Sequence, residues 1–397
     1  MRDPMFRMAL ILGLLSAVGP FAIDMYLPAL PEVARDLHTD EATAALTLTS
    51  YFIVFGFAQM IYGPMADAIG RKKPLMIGVG IFLVATILAA IAPTMTALIA
   101  ARAMQGLGAA TLMAVPRAVI RDMATGPAAA KIMATIMMVI AVSPMLAPLS
   151  GAFIMQWGGW REIFWVLAAV TIISLVLIIF VLPETLAPEN RQPVRLDLML
   201  SGAGRLLTDR RFMGLTMIGG FGMASFFVFL SAASFVYTKQ YGLSPKQFSI
   251  AFAVNAIGFF AASQFAGWMT QKFGMERVIS VAITMFAAVA TTLAMIVVAG
   301  FDSLPVVMVG LFVGNAFLGL VMPTAMVMSL DPHPDIAGLA SSLGGTVQML
   351  TGGVMIAATG PFLDNTSSTM VPAIALCALL GWLAALLSLP RLKLRAA

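Results

Sequence analysis

The chain carries little charge. Of its 397 residues, 23 are lysine or arginine and 18 are aspartate or glutamate, 10% of the total, where about 25% is usual for a soluble domain. So few charges cannot cover a water-exposed surface of this size. That argues against a soluble enzyme, a nucleic-acid binder and a disordered scaffold. There is one cysteine, Cys377, inside an apolar stretch, which excludes an intrachain disulfide and a thiolate metal cluster. The two histidines, His38 and His333, lie far apart in polar connections. They are too few to build a zinc or haem site, and no cofactor or metal is expected. No G-x4-G-K-[ST] motif is present, so direct nucleotide drive is not expected either.

What the chain has in excess is apolar. Hydrophobic residues make up 60%, and the mean hydropathy is +0.97. A spanning helix needs about 20 apolar residues to cross a core of roughly 30 Å. The sequence offers twelve such runs, at about 8–30, 43–66, 74–92, 95–120, 131–155, 160–182, 212–236, 247–269, 276–299, 304–330, 338–360 and 369–390. They are too long and too uniformly apolar for barrel strands, which alternate over about ten residues. Helices are therefore predicted, because backbone groups in lipid must bond internally. Arg2 and Arg7 precede the first run as they would a signal peptide. The run continues through Asp24 to Leu30 without an A-x-A site, and it is read as a first span.

The net charge is +5 and the isoelectric point about 9.6. Most of the basic residues punctuate apolar runs, so topology explains them better than a nucleic-acid partner. With the N-terminus in the cytoplasm, eighteen fall on the inside, including Arg71, Lys72, Lys73, Arg117, Arg121, Arg191, Arg195, Arg205, Arg210 and Arg211. Four fall outside: Arg35, Arg161, Lys239 and Lys246. The positive-inside rule then places both termini in the cytoplasm. The longest hydrophilic stretch, Pro183 to Arg211, holds three prolines and five arginines. It reads as a cytoplasmic linker, with a short amphipathic helix near Leu196–Leu207. The predicted organisation is a six-helix bundle at 1–182, the linker at 183–211 and a second six-helix bundle at 212–397. An internal repeat agrees. Gly63-Pro64-Met65 leads to Gly70 and Lys73 after the second span, and Gly267-Trp268-Met269 leads to Gly274 and Arg277 after the eighth. Duplicated halves are a transporter signature.

Several segments resemble the major facilitator superfamily. Gly63-Pro64-Met65-Ala66-Asp67-Ala68-Ile69-Gly70-Arg71-Lys72 resembles its loop motif G-x3-D-R-x-G-R-[RK], with Ala68 in place of a basic residue. Leu98, Arg102, Gln105, Gly106, Gly108, Ala109 and Ala110 are spaced as in the fourth-span motif of its proton-driven members. Ala147-Pro148-Leu149-Ser150-Gly151 is a weakened form of the fifth-span antiporter motif, Ala147 replacing a glycine. Asp24-Met25-Tyr26-Leu27-Pro28-Ala29-Leu30-Pro31, Tyr241-Gly242-Leu243-Ser244 and Asn255-Ala256-Ile257-Gly258 resemble the Bcr/CflA drug-resistance branch. The resemblance implies an all-α membrane protein of twelve transmembrane helices in two pseudo-symmetric halves. It also implies a monomeric, proton-coupled secondary exporter of small drugs, such as phenicols or bicyclomycin-like compounds. Such a protein sits in the bacterial inner membrane, and its partners are substrate, protons and the lipid bilayer.

Within that frame single residues stand out. Asp24 is the one acid placed well inside a span. A lone carboxylate in a bilayer costs several kcal/mol unless paired, protonated or wetted, so Asp24 is either a proton carrier or an acid snorkelling to water. Arg102 is the one base placed deep in a span and keeps its charge. It either moves relative to the acid, switching proton affinity, or holds helices together through backbone carbonyls. Asp67 and Arg71 end the second span. Asp67 is placed to pair with Arg121 or to face the positive end of the eleventh helix, as a cytoplasmic gate; topology alone also explains the loop charges. Pro144, Pro148 and Gly151 fit either tight, leak-proof packing or an ordinary proline kink. Polar residues inside spans are candidates for the substrate cavity: Tyr26, Tyr51, Gln59, Gln105, Asn255, Gln264, Asn315 and Gln348. Each otherwise serves as helix–helix glue. Export of an endogenous metabolite, such as an amino acid, suits the same fold. An intramembrane enzyme lacks a nucleophile–base pair, and a channel lacks a repeated filter segment.

Overall fold

A computed structural model describes residues 4–123 and 126–389, without the side chains of residues 4–7, 9, 121, 126–138, 140, 141 and 196. Among the described residues the regular structure is entirely helical. Six long helices come first: α1 (Pro4–Asp24), α2 (Glu41–Ile69), α3 (Lys72–Ala90), α4 (Met95–Met123), α5 (Gly126–Gly158) and α6 (Trp160–Phe180). A short helix, Leu196–Thr208, occupies the linker where the amphipathic segment was expected. Six more follow: α7 (Arg210–Phe235), α8 (Pro245–Phe273), α9 (Met275–Val298), α10 (Leu304–Leu330), α11 (Ala337–Thr359) and α12 (Ser367–Ser388). Among the described residues, eleven segments are long and apolar enough to cross a membrane. The remaining long helix is α5, at 33 residues. The twelve runs of the sequence thus appear as twelve helices in order.

The chain forms two compact units. The first comprises Met1–Arg195 with Ser244–Ala253, the second Leu196–Leu243 with Val254–Ala397. In the first, α4 packs against α1, α2 and α3, and α5 against α1. In the second, Leu215 and Ile218 of α7, Ile279, Ile283 and Phe286 of α9, Leu318 and Val321 of α10 and Ala375 and Ala378 of α12 form one buried cluster. Hydroxyls in these apolar helices are satisfied by bonding back one turn. Thr86, Thr171, Thr324, Thr351 and Thr359 each donate to the carbonyl four residues earlier, at 2.6–2.8 Å, as a dry environment requires.

Two features depart from plain rods. The first run is not one continuous helix. It ends at Asp24, passes through a turn and a single 3-10 turn at Leu27–Ala29, and resumes at Leu30–Asp36. Pro28 is the cause: it has no N–H, and its ring excludes the carbonyl of the residue four before it, which is Asp24. The second feature is the repeat. Gly70 and Gly274, matched by the repeat, both stop a helix with positive φ, +95° and +83°, and extended ψ. That region is essentially restricted to glycine. The chain can therefore turn tightly into the next helix at both places.

Candidate functional site

The break in the first span builds the site. With the helix interrupted, the Tyr26 N–H turns to the Ile23 carbonyl at 3.2 Å. The Ala22 carbonyl instead accepts from Arg102 Nη1 at 3.1 Å. The same nitrogen donates to Gln105 Oε1 at 2.7 Å, and Gln105 Nε2 donates to Thr86 Oγ1 at 2.8 Å. The guanidinium carbon lies 4.9 Å from the Tyr26 ring centre and 4.8 Å from that of Tyr51. Tyr26 and Thr47 hydroxyls are 3.2 Å apart, and the Tyr51 hydroxyl donates weakly to the Gly19 carbonyl at 3.4 Å.

Arg102, Gln105, Thr86, Tyr26 and Tyr51 are fully buried, and Asp24 is 5% exposed. Two aromatic faces supply about 0.5–2 kcal/mol each, whereas burying a charge costs several. Among the described residues no ion pair with Asp24 offsets that cost; Arg102 bonds a backbone carbonyl, one of the two arrangements the sequence allowed. Its Nη1 is spent on Ala22 and Gln105, and among the described residues Nε and Nη2 have no hydrogen-bond partner. Glycine permits the close helix contacts around this centre. A Cβ on Gly106 would overlap the Tyr51 carbonyl, and one on Gly151 the Met25 carbonyl beside the break.

A second cluster joins the ends of α2, α3, α4 and α6. Arg71 is its hub: Nη1 donates to Asp67, while Nε and Nη2 donate to the two oxygens of Asp122 at 2.7 and 3.2 Å. Asp67 is thus held by Arg71; the Arg121 side chain lies outside the described residues. Glu184 caps α3, accepting from the Arg71 N–H at 2.8 Å and the Lys72 N–H at 3.2 Å. A carboxylate at a helix N-terminus satisfies orphan donors and the helix dipole together.

Burial works to raise the Glu184 pKa, but the N–H groups of Arg71, Leu186, Lys72 and Thr185 prevail and hold it below the ordinary 4.5. Its stabilising effect is therefore complete above 4.5 and is lost as pH falls through the lower folded value. Glu184→Gln should flatten part of the acid limb of a thermal-unfolding profile, from about pH 5 downward. An acid limb identical to that of the unsubstituted protein would show that this cap does not contribute.

The remaining sequence-selected residues lie elsewhere. Pro144 and Pro148 are buried within α5, and the Pro148 carbonyl accepts from Ser249 Oγ at 2.9 Å. Gln59 is half-buried on α2. In the second unit, Asn255 is buried and Gln264 exposed on α8, and Asn315 is half-buried on α10. Gln348, half-buried on α11, rests against α7 at Gly219. Sequence reasoning passed over Thr86, Asp122 and Glu184. Signals for all three were present. Thr86 is the sole polar side chain in the run 74–92, Asp122 adjoins Arg121 at the end of the fourth span, and Glu184 is the first acid after the sixth.

Twelve apolar helices, an internal repeat and buried charge in the first half define a polytopic membrane transporter rather than an enzyme. The chain belongs to the Major Facilitator Superfamily, whose family model matches residues 12–356. It is 34% identical over 371 residues to the uncharacterized MFS-type transporter YdgK of Bacillus subtilis (strain 168), covering 92% of this chain and 90% of that one. It is 30% identical over 381 residues to a bicyclomycin resistance protein homolog of Haemophilus influenzae, covering 96% and 95%. It is 28% identical over 375 residues to a chloramphenicol resistance protein of Pseudomonas aeruginosa, covering 93% and 86%. Its fold matches the crystal structure of a D-xylose-proton symporter with a TM-score of 0.74 at 17% identity, over 97% of each chain.

Proposed function

We propose that the chain exports small, mostly apolar drugs from the bacterial cytoplasm in exchange for protons. The observation that carries this reading is a carboxyl group and a guanidinium buried on α1 and α4 between which, among the described residues, no ion pair forms. A buried carboxyl without a cationic partner avoids the cost of its charge by holding a proton, and it can release that proton when its surroundings change. A carrier needs that property. Asp24 takes up and gives up the proton, and Arg102 sets how readily it does so. The drug-resistance names of the relatives from Haemophilus influenzae and Pseudomonas aeruginosa support a drug as cargo.

In this reading Asp67 and Arg71, with Arg121, form the cytoplasmic gate, which Asp122 and Glu184 brace. Pro144, Pro148 and Gly151 keep α5 tightly packed against leakage. Tyr26, Tyr51, Gln59, Gln105, Asn255, Gln264, Asn315 and Gln348 are the candidate lining of the drug cavity. Residues 1–182 and 212–397 act as the two alternating bundles, joined by the linker 183–211. The protein works as a monomer in the inner membrane with both termini cytoplasmic, the side that the lysine and arginine bias selects.

The test is export itself. Expression in a bacterium stripped of its own multidrug exporters should raise the inhibitory concentration of bicyclomycin or chloramphenicol severalfold. Inverted membrane vesicles acidified inside should accumulate the same radiolabelled drug, and a protonophore should abolish the accumulation. Susceptibility unchanged across both drugs, with no pH-driven uptake of either, would defeat the reading.

A further inference from the structure

We propose that Thr86 is a positioning residue of the charged site: through Gln105 it fixes the orientation in which Arg102 is held. The inference rests on the reading of Arg102 as a coupling residue, and it comes from a donor count. A threonine hydroxyl has one proton. Thr86 donates it to the Phe82 carbonyl at 2.6 Å, so toward Gln105 its oxygen can only accept. The amide must then present its NH2, and Gln105 Nε2 lies 2.8 Å away. With the NH2 committed, the amide oxygen faces the other way and receives Arg102 Nη1 at 2.7 Å.

The opposite amide orientation fails at both ends. It would set Gln105 Oε1 against a hydroxyl oxygen with no proton left, and an NH2 against a guanidinium N–H. Thr86, Gln105 and Arg102 are all fully buried, so water cannot rescue either mismatch. The restraint matters because Arg102 has few others. Among the described residues its hydrogen-bond acceptors are Gln105 and the Ala22 carbonyl, while Nε and Nη2 have none. Removing the Thr86 oxygen releases the amide to turn, and the guanidinium then loses one of its two acceptors. A hydroxyl on α3 thereby determines the placement of a charge on α4.

Thr86→Val keeps the shape and deletes the acceptor; Thr86→Ser keeps the acceptor. Two measurements on the full-length protein test the proposal. The first is the pH profile of bicyclomycin accumulation in proteoliposomes. Thr86→Val should displace it by about half to one pH unit, the size of effect expected from one buried hydrogen bond, and Thr86→Ser should restore it. The second needs no drug: the side-chain nitrogen resonance of Arg102, assigned by its disappearance in Arg102→Lys, should move in Thr86→Val and return in Thr86→Ser. In a Gln105→Leu background the valine substitution should add nothing to either readout, because the relay is already cut. A structural role for Thr86 would instead persist in that background and would overturn the proposal. So would a folded Thr86→Val protein with an unmoved Arg102 resonance. Should the valine variant not fold, Thr86→Ala makes the same cut with less bulk. If the unsubstituted protein does not move bicyclomycin, the resonance alone decides the relay, and the drug reading falls separately.

Discussion

Asp24→Asn should reduce pH-driven drug accumulation to background while leaving exchange of labelled for unlabelled drug in place. The first part follows from what the amide lacks. It matches the carboxyl in size and can sit in the same 5% exposed position at the last residue of α1, but it carries no exchangeable charge. One pH unit is worth 1.36 kcal/mol per proton. A one-for-one exchanger can therefore hold about a tenfold drug gradient for each unit across the membrane. Without the proton that ratio drops to one. The second part follows because counterflow needs only that the drug-loaded carrier reorient and moves no net proton; the neutral amide, which imitates the low-affinity protonated acid, requires a correspondingly higher drug concentration. Vesicles with and without an imposed gradient separate the two. Full uphill transport by the Asn variant would reject Asp24 as the essential carrier, and loss of counterflow even at saturating drug would assign it to drug binding or folding.

How far the sequence alone reached varies by level. The twelve helices were legible because a run of about 20 apolar residues in lipid has one practical conformation. The repeat was legible too, since Gly70 and Gly274 sit where only glycine turns easily. Asp24 and Arg102 stood out as buried charges whatever their neighbours. The interruption at Asp24 was overlooked, although Pro28 marks it: the hydropathy of the run masks the loss of one backbone bond. At the same break the Tyr26 N–H turns to Ile23 and leaves the Ala22 carbonyl to Arg102; the sequence allowed a backbone carbonyl as partner but could not say which one. Asp122 and Glu184 reach Arg71 across 51 and 113 residues of chain. Charge patterning within one span cannot reveal such partners. Thr86 escaped because a lone hydroxyl in a span usually bonds back to its own helix. It does so here as well, and that spent proton is what makes it an acceptor for Gln105.

Drug binding itself should release protons. An exchanger must present its two ligands in turn, since simultaneous occupancy would let both leak across. If the drug sits beside Asp24 and Arg102, it favours the deprotonated carboxylate. By linkage, protonation then weakens drug binding by the same coupling free energy. For coupling of about 1–3 kcal/mol, drug affinity should fall about 5- to 150-fold on full protonation. Purified protein in weakly buffered solution should therefore acidify the medium when chloramphenicol is added, with the release greatest where the carboxyl is partly protonated. Asp24→Asn should abolish that release and leave an affinity indifferent to pH. The competing mechanism is a uniporter that follows the drug gradient. It predicts binding without proton release at any pH from about 5 to 9, a range that spans perturbed carboxyl values, and transport unaffected by a pH gradient. Those two results together would replace exchange with facilitated diffusion and leave the buried charges on α1 and α4 without a coupling role.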